Sequence, residues 1–443
     1  MLTEENKLDK YNEIMEIIKD FNHLETVPKD LSSVDLNFLY ENIHNILYGN
    51  DCNTATVLPN LKDYKNILLV DFNVIGDFVL SSGLIREIRN MFPNSRITLL
   101  CLAGACYTLA KNCPYVDKII ILYDGIKGVH NFITFCYNEI WPEHFDLAIS
   151  LGYICMVPMS YVMLACGVPV RYGYKVDVDR KYYIHGNAYN RLLNQFKPLE
   201  KYIFSHVADH SYDLMETVDR YFYLIEQQTH KPAVNRELEV WLDTKTIEKM
   251  KQRLQPYSKN KLIVIGIGGS DPNKRYSIDQ LIEVLNMIKE NFSDELVIIG
   301  GRKEIKDAQK ISKHVKCLNL VGKTSALESA AALSQSDMYL GNDTGMMHVA
   351  AALKVPVVWI CREAVDKEKL HCGLGSYLSF FPYKTKAICI RPEHAADECQ
   401  SVFIDGGCGR LEAHCINQNT PEDIFNAFVR LRNQPESVKE RQY

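Results

Sequence analysis

Apolar positions change their period along this chain, and the changes mark its organisation. Over residues 1–60, Ile14, Ile17, Ile18 and Phe21 recur at helical spacing in an otherwise polar run, until Gly49, Asp51 and Pro59 interrupt it. The pattern predicts an N-terminal helical extension, residues 1–60, ahead of the first domain. From residue 64, continuous apolar runs of strand length take over. NILLVDF leads through the turn VIGD into FVLSSGLIREIRNMF, an amphipathic helix, and a break at Pro93 and Asn94 precedes RITLLCL. Strand, crossover helix and strand make a βαβ unit, which implies a parallel sheet covered by helices. KIIILYD and DLAISL add strands, and HSYDLMETVDRYFYLIEQ is the clearest helix of the aromatic-rich segment that follows.

The alternation starts again at KLIVIGIGG. Strands LIVIGI, ELVIIGG, CLNLVG, DMYLG and VPVVWI interleave with helices SIDQLIEVLNMIKENF, EIKDAQKISKHV, TSALESAAALSQ and TGMMHVAAALK. The prediction is an α/β protein with two Rossmann-like domains, residues 61–245 and 246–365, and a ligand cleft where the carboxyl ends of the two sheets meet. Residues 366–443 read as a less regular, Cys-rich C-terminal tail that closes with the helix PEDIFNAFVRLRN.

Composition narrows the classes. A chain of 443 residues that is 47% hydrophobic can build two cores, and a net charge of −5 offers no global basic field for nucleic acid or an anionic membrane. Phosphate contacts must then be local. The polar, acidic N-terminus MLTEENKLDKYNEI is no signal peptide, so the expected compartment is the cytoplasm, with the 14 cysteines mostly buried thiols. LAISLGYICMVPMSYVMLACGVPV, residues 147–170, lacks charge, but its prolines and glycines favour a strand and then a helix ending at Gly167 over a membrane span.

Three stretches carry candidate chemistry. In VDFNVIGDF the only glycine is Gly76, too few for a dinucleotide fingerprint. The neighbouring Asp77 reads either as a first-turn acid, stabilising its helix by about 1 kcal/mol, or as a general base facing the cleft. In GIGGSDPNKR a glycine turn after a strand exposes backbone N–H groups, with Lys274 as a positive charge above them. In GNDTGMMHVAAALKVPVVWI, Asp343 or Thr344 is the expected helix cap, Gly345 permits close approach, and the free amides and helix dipole favour an anion. His348, one turn on, is either a core histidine or a ligand contact. Asp177 and Asp179 in KVDVDRKYY read as a solvated loop, since a hard cation in a transferase sits beside substrate phosphates. Cys389, Cys399, Cys408 and Cys415, near His414, are enough thiols for one zinc or iron ion, although they lack a CxxC pair.

The stretch GNDTGMMHVAAALKVPVVW resembles the signature of glycosyltransferase family 9, the ADP-heptose-dependent heptosyltransferases. ILLVDFNVIGDFVLSSGLIREIRNMFPNSRITLL, GVPVRYGY, the K-R-Y element at 274–276, VIIGGRKE and NLVGKTSALESAAALSQSD extend the resemblance, in order, over about 64–430. The resemblance implies the GT-B fold, with Asp77 as catalytic base. It implies donor binding by Gly76, Ser270, Lys274, Thr324, Asp343, Thr344, Gly345 and His348, with Glu304 on the ribose hydroxyls. The implied reaction is inverting transfer of heptose from ADP-heptose to a lipopolysaccharide-core or protein hydroxyl, with no cofactor needed for catalysis. Family members that modify autotransporter proteins hold iron through tail cysteines, which extends the expectation of a structural iron or zinc to this tail. Expected partners are the nucleotide-sugar donor and a glycan or protein acceptor, with no nucleic acid and no transmembrane segment. Peripheral contact with the inner face of the cytoplasmic membrane and a homo-oligomer are compatible with it. Competing readings are a GT-B transferase for another nucleotide sugar, a sugar-nucleotide epimerase, and a catalytically silent binding protein. The 1–60 extension has no counterpart in the lipopolysaccharide enzymes.

Overall fold

The structure, a computed structural model, describes residues 41–42, 57–71, 74–122, 133–151, 161–174, 203–208, 216–269, 272–366, 380–396, 403–404, 407–408, 413–433 and 441–442. Ser270, Asp177, Asp179, Cys399 and nearly all of the 1–60 extension lie outside the described residues.

The first sheet is built from β1 (Asn66–Asp71), β2 (Arg96–Leu102), β3 (Lys118–Leu122), β4 (Leu147–Ser150), β5 (Val170–Tyr174) and β6 (His206–Ala208), in the order β3-β2-β1-β4-β5-β6. All its pairings are parallel. Helix α1 (Ile75–Met91) crosses from β1 to β2, and α2 (Thr217–Thr229) packs beside it. Ile67 to Asp71 are all buried, because helices cover both faces, and this is why β1 reads as a continuous apolar run rather than an alternation.

The second sheet repeats the plan. It contains β7 (Leu262–Gly266), β8 (Glu295–Ile299), β9 (Leu318–Asn319), β10 (Met338–Asn342), β11 (Val357–Ile360) and β12 (Ala387–Ile390). A separate antiparallel hairpin joins β13 (Phe403–Ile404) to β14 (Gly407–Cys408), and β15 (Arg441–Gln442) adds to β12. The order is β15-β12-β11-β10-β7-β8-β9. The strand order therefore reverses between β1 and β4 in one sheet and between β7 and β10 in the other, and each reversal opens a crevice at the strands' carboxyl ends. Helices α3 (Ile278–Asn291), α4 (Ala326–Leu333) and α5 (Gly345–Ala352) belong to this half.

The segment that reads as an irregular tail completes the second layer. Strand β12 pairs in parallel with β11. Helix α6 (Pro421–Asn433) lies against α3, where Phe428 meets Phe292 edge-on and Arg432 both covers that ring at 4.2 Å and grips Asp294 through two hydrogen bonds. Residues 147–170 follow expectation where described: Leu147–Ser150 is a strand, Tyr161–Ala165 a helix, and Gly167 takes φ 65° at its end. Among the described residues no helix is long and apolar enough to cross a membrane.

Candidate active site

The two halves meet through the N-termini of α1 and α5. Gly345 opens α5 against α1: a Cβ there would lie 2.6 Å from Ile75 Cβ and 2.9 Å from the Gly76 nitrogen. A Cβ on Gly76 would in turn lie 3.0 Å from His348 Cδ2. Glycine at both positions thus lets one backbone approach the other.

Beside this contact lies a cleft of about 610 Å³. Gly76, Asp77, Lys274, Glu304, Thr324, Asp343, Thr344, Gly345 and His348 all line it, so the donor-site candidates with described positions converge from separate loops of both halves. Ser270 lies outside the described residues.

Asp77 stands in the first turn of α1, whose N-cap, Val74, makes no side-chain cap bond. Burial pushes its carboxyl up to about 6; Lys274 opposes the shift, and the carboxylates of Asp71 and Asp343 add to it. Asp71 is fully buried at the end of β1 and accepts a hydrogen bond from Ser81 Oγ at 2.9 Å. A partly desolvated carboxylate with this affinity for a proton suits general-base work near neutral pH.

Across the cleft, Lys274 Nζ pairs with Asp343 Oδ2 at 2.8 Å. Burial works against the Asp343 charge, but Lys274, with Arg362 adding to it, holds its carboxyl below the ordinary value. The residues after Lys274 anchor the turn that presents it. Arg275 bonds the Gly269 carbonyl and meets Glu304 Oε1 at 3.1 Å, while Tyr276 donates its hydroxyl to the Asn419 carbonyl at 2.7 Å. Asn342, at the end of β10, binds the Tyr276 amide and donates to the Gly268 carbonyl at 3.0 Å. Glu304 is buried, with one oxygen engaged by Arg275. Thr324 Oγ1 lies 2.9 Å from Ser329 Oγ, just ahead of α4, which Ser325 and Glu328 start with a capping box.

The expected side-chain cap at α5 is not made. Thr344 is the N-cap residue, with extended backbone, but its hydroxyl is engaged by Tyr339 and Asp343 is engaged by Lys274. His348 is buried, which drops its imidazole to about 4 and leaves it neutral, and its Nδ1 has no hydrogen-bond partner. A satisfied core histidine leaves no such orphan. Phe380, contributed by the tail, lines the cleft and meets the His348 ring at 6.4 Å between centroids. Sequence reasoning missed Phe380, because nothing local sets it apart from the other tail aromatics, and it missed Tyr339, whose signal was the glycine two residues on in a strand.

The four tail cysteines are not gathered by the described residues. Cys389 lies buried on β12, where burial and the neighbouring Cys361 thiol hold its own thiol well above the ordinary value. Cys415 opens a turn, its sulfur 2.9 Å from His414 Nδ1 and 3.3 Å from the Ala396 amide. Cys408 belongs to β14, with its side chain, like Cys399, outside the described set. Among the described residues no group of three or more His, Cys, Asp or Glu is arranged to hold a metal ion.

Two parallel sheets of one strand order, facing each other over a cleft with a carboxylate on one wall and a lysine and helix N-terminus on the other, define the GT-B architecture. The sequence profile of glycosyltransferase family 9 (heptosyltransferase) matches residues 195–400. Over that segment the chain is similar to this family, and it is a glycosyltransferase. It is 25% identical to the lipooligosaccharide heptosyltransferase 2 of Haemophilus ducreyi over 309 residues, covering 66% of this chain and 80% of the relative. It is 24% identical to the lipopolysaccharide heptosyltransferase 2 of Escherichia coli over 308 residues, 66% of this chain and 81% of that one. Among solved structures, the family 9 glycosyltransferase of Veillonella parvula superposes with a TM-score of 0.66 at 19% identity, covering 85% of this chain and 99% of that one. The E. coli ADP-heptose lipopolysaccharide heptosyltransferase II does so with a TM-score of 0.58 at 19% identity, covering 83% and 98%.

Proposed function

We propose that this glycosyltransferase moves a heptose from ADP-heptose to a hydroxyl of a lipopolysaccharide core sugar, inverting the anomeric carbon. The supporting observation is the opposition of Asp77 to Lys274 and the α5 N-terminus within one cleft. The names of the sequence relatives point to the heptose and to the acceptor class.

In this reading the acceptor oxygen attacks the anomeric carbon as its proton passes to Asp77. The bond to the ADP oxygen breaks on the opposite side of the sugar. The charge that grows on the leaving diphosphate meets Lys274 and the α5 amides, which are already in place and need not reorganise. Glu304 and Thr324 take the nucleoside end of the donor, and neutral His348 lies beside the diphosphate or the sugar. The reaction runs in the cytoplasm, at the inner membrane face where a lipid-linked acceptor is reached.

Calorimetry with ADP, UDP and GDP tests the donor, and transfer assays with ADP-heptose test the chemistry. ADP is expected to bind tightest, and Asp77→Ala to keep ADP binding while losing about 100-fold or more in transfer rate. Preference for UDP or GDP removes the ADP-heptose assignment. Wild-type transfer by Asp77→Ala removes the base, and transfer to a Ser/Thr peptide but not to a core glycan replaces the acceptor.

A further inference from the structure

The strand that leads into α5 carries an arrangement that the donor-site reading leaves unused. Tyr339 and Gly341 stand two residues apart on β10, so they share one face of the sheet. Across the ladder Gly341 is in register with Gly266 of β7. A Cβ on Gly266 would overlap the Tyr339 hydroxyl, and one on Gly341 would lie 2.8 Å from it. The paired glycines therefore leave a bare strip, along which the fully buried tyrosine runs toward the carboxyl edge of the sheet. At that edge its Oη lies 3.1 Å from Thr344 Oγ1.

This contact changes what Thr344 does. A threonine at the N-cap ordinarily turns its oxygen onto the N–H of the second or third helical residue, here Met346 or Met347. Thr344 makes no such bond, and the Met347 amide is taken by the Thr344 carbonyl at 3.0 Å. The amides at the very start of a helix have no partner within it, and with the hydroxyl drawn back those of Gly345 and Met346 are left to the cleft. His348, whose buried Nδ1 lacks a partner in the same wall, is an independent sign that this end of the helix receives a ligand.

We propose that Tyr339 is a positioning residue of the donor site: its hydroxyl holds Thr344 off the start of α5, so that the first-turn amides stay open to the donor diphosphate. The proposal rests on the reading of this cleft as a nucleotide-diphosphate site. Burial pushes the Tyr339 phenol well above its ordinary value, so it remains a protonated hydrogen-bonding partner throughout the working pH range. Without it, Thr344 rotates into the ordinary capping geometry and competes with the phosphate for the Met346 amide.

The test is a double-mutant cycle of Tyr339→Phe and Thr344→Val on the full chain, read by calorimetry with ADP and with inorganic pyrophosphate, and by thermal unfolding. Tyr339→Phe is expected to weaken ADP about fivefold, the scale of one helix cap, while its Tm holds or rises because the helix gains that cap. In the Thr344→Val background, where no hydroxyl remains to compete, the same change is expected to cost less than about twofold. A purely structural tyrosine predicts instead a fall in Tm and equal losses in both backgrounds, and either result overturns the proposal, as does unchanged affinity in Tyr339→Phe. If pyrophosphate binds and shows the cycle while ADP does not bind, the adenine donor falls and Tyr339 keeps its role. If neither binds, both readings fall together.

Discussion

Lys274 and Asp343 are closed onto each other at 2.8 Å, so the cation assigned to the diphosphate already has an anionic partner in the cleft. The pair places the lysine without leaving a buried charge uncompensated, and Asp343 in turn adds to the electrostatic load on Asp77. Lys274→Met removes a diphosphate contact and also strands the Asp343 carboxylate. ADP affinity is expected to fall at least about tenfold, in the range of a lost charge-assisted hydrogen bond. Because Lys274 holds the Asp77 carboxyl down, the acid limb of the pH profile of kcat/KM is expected to move to higher pH in this variant. A limb that stays put would separate Lys274 from the base. Transfer by the wild type is expected to survive EDTA, since Lys274 and α5 supply the positive potential. Loss of activity on chelation, restored by a divalent ion, assigns that role to a metal instead.

Asp77 links rate and stability. As a base it must be deprotonated, so kcat/KM is expected to rise with pH through about 6 and level off above it. Its carboxyl has a higher pKa folded than unfolded, so the unfolded chain loses this proton first. The resulting penalty is absent below about 4, grows between about 4 and 6, and is complete above 6. Asp77→Asn is therefore expected to unfold at a higher temperature than the wild type at pH 8 and at an equal one at pH 4. A variant less stable than wild type at pH 8 would mean that the carboxylate is held by favourable contacts rather than strained.

The fold was legible because its signals are local. Buried parallel strands write continuous apolar runs, and glycine or proline punctuates them, so β1 to β4 and β7 to β11 could be placed in advance. Short β6 and the tail strand β12 were not, since their pairing partners are distant in sequence and AICI could equally continue a loop. At the site, Asp77, Lys274 and the 343–348 helix start stood out because each combines a special residue with a strand-to-helix junction. The engagement of Thr344 by Tyr339 did not, because it depends on two glycines, one on each of two strands far apart in the chain, coming into register. Burial of His348 was one of its two readings, but its orphaned Nδ1 was not legible, since it follows from how α1 approaches α5.

The tail offers a separate question of composition. Cys389 sits inside the second sheet beside Cys361, and Cys415 sits beside His414, so the described sulfurs occupy two places rather than one. A structural iron or zinc shared by Cys389, Cys399, Cys408 and Cys415 requires all four sulfurs to meet on one ion, at about 2.3 Å each. Metal analysis of protein purified under reducing conditions is expected to return about one iron or zinc per chain if they are. Cys399→Ala together with Cys408→Ala should then release the metal and lower Tm. Less than about a tenth of an equivalent, with thiol titration recovering all the cysteines, leaves them as free thiols.

The contact of α5 with α1 makes Gly345 a different kind of donor-site residue from Lys274. It lines the cleft at the start of the helix, but its missing side chain is what lets Ile75 and the Gly76 backbone come close. In Gly345→Ala the new methyl meets a branched side chain at 2.6 Å and a backbone nitrogen at 2.9 Å, and neither can swing aside as the end of a long side chain would. The halves must then part near Asp77, whereas α5, Lys274 and the loops around Glu304 keep their mutual positions within the second half. Donor binding and catalysis should therefore separate. ADP affinity is expected to change by less than about threefold, while kcat falls on the order of 100-fold, the usual consequence of displacing a reacting group by about 1 Å. Alanine is also the better helix former, so Tm is expected to stay near the wild-type value or fall modestly, offsetting the interdomain strain. Calorimetry with ADP and steady-state kinetics at saturating donor measure the two quantities independently. Equal losses in both mean that Gly345 serves the donor alone, and that the two halves already adjust freely at this contact.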